Sequence, residues 1–193
     1  MKNEKQEKVP GAGRSSFALV DKDKVFGELQ LAGGISFLDL GCGRGEYAII
    51  ASEIVGNEGV VYGIDLWEEG VNSLREEALA RGSKNIKAMV ADAGKRMPLE
   101  DISIDVCFMA TVFHDLVLAG TSAGALQEIS RVLKEQGFLA ILEFKKIDGP
   151  PGPPLSSRMA PEEVEEKIIP YGFKKVGLKE IGPYIYLLSF LKL

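Results

Sequence analysis

The stretch Ile35-Ser36-Phe37-Leu38-Asp39-Leu40-Gly41-Cys42-Gly43-Arg44-Gly45-Glu46-Tyr47-Ala48 decides the fold. A short apolar run breaks into three alternating glycines, after which Tyr47, Ala48, Ala51, Ile54 and Val55 recur at helical spacing. That order predicts strand, tight loop, helix. Glycines without a Cβ let a ligand approach the backbone, and the helix N-terminus behind them offers free N–H groups to a carboxylate or phosphate.

The same alternation continues along the chain. Val60 to Ile64 forms a second apolar run that stops at Asp65, and Val71, Leu74 and Ala78 mark an amphipathic helix within Trp67 to Arg81, closed by Gly82. Ile86 to Ala91 is a third strand ending at Asp92, and Ile104 to Ala110 a fourth, followed by Thr111-Val112-Phe113-His114-Asp115. Leu126, Ile129, Val132 and Leu133 give the next helix its buried face before a fifth strand, Phe138 to Phe144. Upstream, Asp21 is placed to cap a short helix carrying Val25, Phe26 and Leu29. Near-continuous apolar strands separated by amphipathic helices call for a parallel sheet covered on both faces.

The C-terminal part changes character. Gly149-Pro150-Pro151-Gly152-Pro153-Pro154 reads as a stiff loop, Pro161 to Pro170 as a helix, and Phe173 to Leu178 with Tyr184 to Leu193 as a hairpin at the sheet edge. The fold expected is therefore α/β, a Rossmann-like doubly wound sheet of seven strands, mostly parallel, with an antiparallel C-terminal edge strand. Residues 1–13 read as a solvated, flexible tail ahead of one domain spanning 14–193.

Composition narrows the function. The formal charge of −5 provides no broad cationic field for phosphate backbones, which disfavours nucleic acid and favours a small-molecule partner. No apolar stretch approaches the length of a membrane span, and the Lys/Glu-rich N-terminus has no secretory character, so a cytoplasmic location is expected. Cys42 and Cys107 form no CxxC pair and read as free thiols, and no metal site is expected.

In open α/β sheets ligands bind beyond the carboxyl ends of the strands. Those ends here carry Gly41, Gly43 and Gly45, then Asp65, Asp92 and the Thr111–Asp115 segment. Asp65 falls where a ribose diol would lie if the glycines held the rest of a nucleoside, and two hydroxyls donating to one carboxylate make charge-assisted bonds. A dinucleotide fingerprint requires its third glycine at position 46, where Glu46 stands.

Leu38-Asp39-Leu40-Gly41-Cys42-Gly43-Arg44-Gly45 resembles motif I of the class I S-adenosylmethionine-dependent methyltransferases. Tyr62-Gly63-Ile64-Asp65-Leu66, Val90-Ala91-Asp92-Ala93 and Ile129–Lys134 with Gly137-Phe138-Leu139 resemble later segments of that family in order and spacing. The resemblance implies S-adenosyl-L-methionine as cofactor. It places Gly41, Gly43 and Gly45 against the methionine part, Asp39 near its ammonium group, and Asp65 on the ribose hydroxyls. Leu66 or Trp67 would face the adenine, Asp92 and the Ala93 N–H its edge, and Ala110 and Thr111 the sulfonium.

Methyl transfer from a sulfonium is an in-line displacement, so positioning and desolvation can supply much of the catalysis. His114, the only histidine, is the candidate catalytic residue, as a base or as a contact to the acceptor. Phe17, on a segment able to close as a lid, and Arg158, able to meet an anionic acceptor or Glu162 or Glu163, are further candidates on the substrate side. Leu142-Glu143-Phe144 resembles the matching strand of ubiquinone and menaquinone C-methyltransferases, whereas the Gly149–Pro154 loop and Arg158–Glu163 depart from it. No Asn-Pro-Pro-aromatic stretch follows the fourth strand, which disfavours nucleobase amines, and two cysteines are too few for an evident metalloid site. A nucleotide-dependent oxidoreductase and a non-catalytic S-adenosylmethionine-binding module remain as alternatives.

Overall fold

The computed structural model describes residues 11–193; the tail assigned to residues 1–13 therefore lies mostly outside the described residues. The strands are β1 (Ser36–Leu40), β2 (Val60–Asp65), β3 (Ile86–Val90), β4 (Ile104–Ala110), β5 (Leu133–Phe144), β6 (Phe173–Glu180) and β7 (Ile185–Lys192). The helices are α1 (Lys22–Glu28), α2 (Glu46–Val55), α3 (Glu68–Ala80), α4 (Phe113–Leu118), α5 (Ser122–Val132) and α6 (Pro161–Ile168). One sheet of order β3-β2-β1-β4-β5-β7-β6 runs through the molecule.

Strands β1 to β5 pair in parallel, and alternate residues feed two cores. Phe37, Val61 and Phe108 pack with α1, α2 and α3 on one face, while Leu38, Ile64 and Cys107 pack with α5 and α6 on the other. Every residue of β1 is buried, which suits Phe37, Leu38 and Leu40 and leaves Asp39 as a charged group inside the sheet. Strand order reverses between β1 and β4, so the crevice beyond their carboxyl ends is where such a sheet leaves room for a ligand.

The last strand is antiparallel, as expected, but it lies inside the sheet, between β5 and β6. The outermost strand on that side is β6. Ile185–Phe190 is buried throughout, whereas β6 carries Lys174, Lys175 and Lys179 in exposed positions. The more apolar strand of the hairpin takes the interior place, and lysines guard the edge. Two further differences appear. Leu133 leaves the helix and pairs with Ile104, so β5 starts earlier than Phe138, with an irregularity before Phe138. Phe113–Leu118, just past the fourth strand and assigned to no element from the sequence, forms the six-residue helix α4, too short for its periodicity to register. Among the described residues no helix is long and apolar enough to cross a membrane.

Candidate cofactor and acceptor cavity

The glycine loop is built by three left-handed backbone positions with different reasons for glycine. A Cβ on Gly41 would come within 2.4 Å of Val112, and one on Gly45 within 2.3 Å of Leu74, so both positions are closed by packing. A Cβ on Gly43 would meet nothing within 4 Å. Gly41 and Gly43 line a cavity of about 520 Å³, whereas Gly45 sits behind it as the N-cap of α2 and does not reach it.

Asp65, at the end of β2, also lines the cavity. Its Oδ2 accepts the Gly43 N–H at 2.8 Å and its Oδ1 the Trp67 N–H at 2.8 Å. Two backbone donors thus fix the carboxylate while each oxygen keeps a lone pair for hydroxyl donors. Leu66 and Trp67 follow on the wall, and the Arg44 guanidinium lies 5.6 Å from the Trp67 ring centre. Asp92 and Ala93 line the same end, with Asp92 Oδ1 accepting the Gly94 N–H at 2.9 Å.

Asp39 lies behind the loop rather than on the wall. It is fully buried, and neither carboxylate oxygen has a hydrogen-bond partner among the described residues. Burial, and then the charge of Asp65, push its pKa up to about 7, and the nearby Ala48 N–H opposes them only in part. Unpartnered buried carboxyls are rare because they forgo solvation without compensation. This one suits a cation, reached directly or through water.

Ala110 and Thr111 line the cavity where β4 ends, and Thr111 holds φ +56°, an uncommon conformation for a β-branched residue. His114 follows at the buried start of α4 and lines the cavity with Asp115. Its Nδ1 lies 2.9 Å from both oxygens of Glu143, a fully buried residue of β5, and its backbone N–H donates to Glu143 Oε1 at 3.0 Å. Burial lowers the imidazole pKa, but Glu143 and Asp115 outweigh it, and the net direction is upward. Sequence reasoning gave Glu143 no role. Its signal was present, as the one acidic residue in the apolar run Phe138–Phe144.

The segment before α1 covers this end. Gly11–Ser16 and Leu19 line the cavity, so the tail boundary drawn at residue 13 falls within the covering segment. Ser15 Oγ donates to Glu46, and Ser16 Oγ is 3.1 Å from the Tyr47 hydroxyl. Phe17 does not face the cavity: its ring meets Tyr47 edge-on at 5.1 Å and joins the core, anchoring the segment instead. Arg158 does not face it either. The buried guanidinium donates to the carbonyls of Pro153, Ile147, Gly149 and Pro151, and clamps the proline-rich loop. Glu163 is engaged with Lys146 and the Ala160 N–H rather than with Arg158. The clamped loop brings Gly152 and Pro153 to the cavity beside Phe144.

Residues 31–169 match the family model described as a methyltransferase domain. The chain belongs to this methyltransferase family. A solved S-adenosylmethionine-dependent methyltransferase from Aquifex aeolicus is 33% identical, covers 95% of this chain and 94% of its own, and superposes with a TM-score of 0.85. Aklanonic acid methyltransferase DauC of Streptomyces sp. (strain C5) is 31% identical over 137 residues, 70% of this chain and 60% of that protein. Demethylmenaquinone methyltransferase of Staphylococcus aureus (strain MRSA252) is 32% identical over 122 residues, 63% of this chain and 48% of that protein. The chain thus spans about half the length of these two curated relatives. Membership implies S-adenosylmethionine, and the residues fit it: an unpartnered carboxyl for a cation, an anchored carboxylate for a diol, and backbone open to close approach at Gly43.

Proposed function

We propose that this protein transfers the methyl group of S-adenosylmethionine to a small organic acceptor within the cavity that runs from Asp92 to Pro153. Asp39 carries the reading, because a buried, unpartnered carboxyl behind an open glycine loop has an evident use only when a cation lies in front of it. In this reading Gly41 and Gly43 face the methionine part, Asp39 balances its ammonium group, and Asp65 holds the ribose hydroxyls. Trp67 and Leu66 face the adenine, Asp92 and the Ala93 N–H its edge, and Ala110 and Thr111 the methyl-bearing end. Gly45 contributes through the shape of the loop.

The bound cofactor supplies an electrophilic methyl group on a sulfonium, already activated for displacement. The protein supplies orientation and exclusion of water, through the segment Gly11–Leu19 on one side and the Arg158-clamped loop on the other. Phe144, Leu19 and Pro153 favour an acceptor with an apolar body, and His114 with Asp115 gives that space its polar end. A cytoplasmic location and a small-molecule partner in preference to nucleic acid belong to the same reading, supported by the acidic charge and two free, buried thiols.

Calorimetric titration with S-adenosylhomocysteine and, separately, NAD tests the proposal. Binding of the first and not the second is the expected result; binding of NAD alone would return the oxidoreductase alternative. S-adenosylhomocysteine binding with no product from a broad acceptor set would point to the non-catalytic module.

A further inference from the structure

Glu143 is a buried carboxylate in the otherwise apolar stretch Phe138–Phe144 of β5, and both its oxygens turn to one ring nitrogen. Oε1 also accepts the His114 N–H at 3.0 Å, and Oε2 the Phe144 N–H at 3.2 Å. A group held at four points has one orientation. The imidazole it fixes stands at the wall of the cavity, between the N-terminal segment, the start of α4 and the clamped loop.

We infer that Glu143 is a positioning residue that holds His114 with its proton on Nδ1, so that Nε2 is the atom offered to the acceptor, and that the acceptor is a neutral hydroxyl or enol whose proton His114 removes. This inference rests on the methyltransferase reading above for the reaction, but the arrangement of the dyad stands independently of it. With Nδ1 engaged, Nε2 is the remaining nitrogen, and it lies 3.6 Å from Asp115 Oδ1, on a residue that also lines the cavity. A carboxylate behind a histidine fixes its tautomer and stabilises the imidazolium formed on proton uptake, the role of the third member in hydrolase triads.

The step balances. The acceptor oxygen gives its proton to Nε2 and takes the methyl group, while the electron pair of the broken C–S bond stays with sulfur. The imidazolium keeps its Nδ1–H on Glu143 and returns the Nε2 proton to water before the next turnover.

The surroundings define the acceptor class. Two carboxylates, Glu143 from β5 and Asp115 from α4, face the ring. Arg14 on the covering segment lines the shared cavity. A smaller cavity that His114 also lines is bordered by Lys146, Lys167, Arg158, Glu163 and Glu166; Lys146 is paired with Glu163, and Arg158 is committed to carbonyls. From β7, the Tyr186 hydroxyl donates to the Met159 carbonyl. The charge nearest the ring is therefore negative, which repels an acceptor that arrives already ionised and favours one that still carries its proton.

Because His114 is the only histidine, the ¹⁵N-labelled full chain gives one imidazole spin system, read by two-dimensional NMR across pH. With S-adenosylhomocysteine absent, the expected neutral form carries its proton on Nδ1, and the midpoint lies above 6.5. Glu143→Gln is expected to bring the midpoint to 6.5 or below and to mix the tautomers, with Glu143→Asp restoring part of both. A neutral ring protonated on Nε2 in the wild type would overturn the inference without any variant, as would a Glu143→Gln spectrum that titrates like the wild type. Phenol and benzoate, added at equal concentration to the S-adenosylhomocysteine-loaded protein, probe the acceptor class. A shift of the Nε2 signal by phenol and not by benzoate is expected; a larger response to benzoate, or none to either, removes the neutral-hydroxyl assignment. Failure of S-adenosylhomocysteine to bind the same sample would instead count against the methyltransferase reading, leaving the tautomer result intact.

Discussion

Replacing Asp39 by Asn is expected to stabilise the ligand-free protein and weaken its cofactor binding together. Asp39 has its pKa raised from 3.8 to about 7, by burial first and by Asp65 second. The folded state therefore holds a proton that the unfolded chain loses, and ionising the folded carboxyl costs stability as pH rises from 3.8 to about 7. At about 1.36 kcal/mol per pKa unit, that interval sets a plateau near 4 kcal/mol above pH 7 and under about 2 kcal/mol at pH 5, both upper bounds. The amide keeps the shape of the side chain and removes the titration. Urea unfolding at pH 5 and pH 8 should show the Asp39→Asn variant more stable, with the gap widening toward pH 8. For a domain of this size 4 kcal/mol corresponds to roughly 10 °C in melting temperature. Binding runs the other way: at pH 8 the variant should bind S-adenosylhomocysteine at least tenfold more weakly, about 1.4 kcal/mol, because a neutral amide does not balance an ammonium group. Wild-type affinity should fall as pH drops below 7, with proton release on binding detectable by calorimetry in two buffers, while the variant's affinity stays flat over that range. A variant no more stable than wild type at pH 8, or a wild-type affinity independent of pH, would refute the argument.

Three other outcomes follow from the same geometry. Asp65→Ala removes the carboxylate that Gly43 and Trp67 anchor, and should cost at least tenfold in S-adenosylhomocysteine affinity by calorimetry, about 1.4 kcal/mol; an unchanged constant would take Asp65 out of the site. Gly45→Ala forces a Cβ to 2.3 Å from Leu74 at φ +80° and should lower unfolding free energy by about 2 kcal/mol or more, whereas Gly43→Ala, facing open space, should spare more stability and lose affinity; denaturation and titration of the pair would separate the roles, and equal effects on both would contradict them. Arg158→Met leaves carbonyls of the 147–153 loop without their shared donor and should cost about 2 kcal/mol or more in urea unfolding, with faster proteolysis in that loop, and Arg158→Lys should rescue little because one ammonium group lacks the planar fork; a lysine variant equal to wild type would refute this.

What the sequence disclosed divides along a physical line. Strands β1 to β4 and helices α2, α3 and α5 were legible because burial on both faces of a strand and on one face of a helix writes periodicity into the chain. Asp65 and Asp92 were legible as candidates because each ends an apolar run, which fixes a side chain to a strand end without knowledge of anything distant. Helix α4 escaped because six residues hold under two turns, and the place of β7 escaped because the pairing of a hairpin with the rest of a sheet is a choice between two edges, visible only in the contrast between lysines on β6 and leucines on β7.

The residues misjudged share a different cause. Phe17 was read by what its side chain can do with a ligand, and Arg158 by what it can do with a ligand or with Glu162 or Glu163, and their partners turn out to be other protein groups: the ring of Tyr47 for Phe17, and four carbonyls of the proline-rich loop for Arg158. Glu143 was passed over for the complementary reason, since its partner, His114, lies 29 positions away and on another element. A buried charge in an apolar strand must be compensated, and in a chain with one histidine at the mouth of the neighbouring parallel strand the compensating group was already named. Local pattern thus finds the cofactor half of the cavity, where each residue acts from its own strand end, while the acceptor half depends on pairings between elements that only the folded sheet brings together.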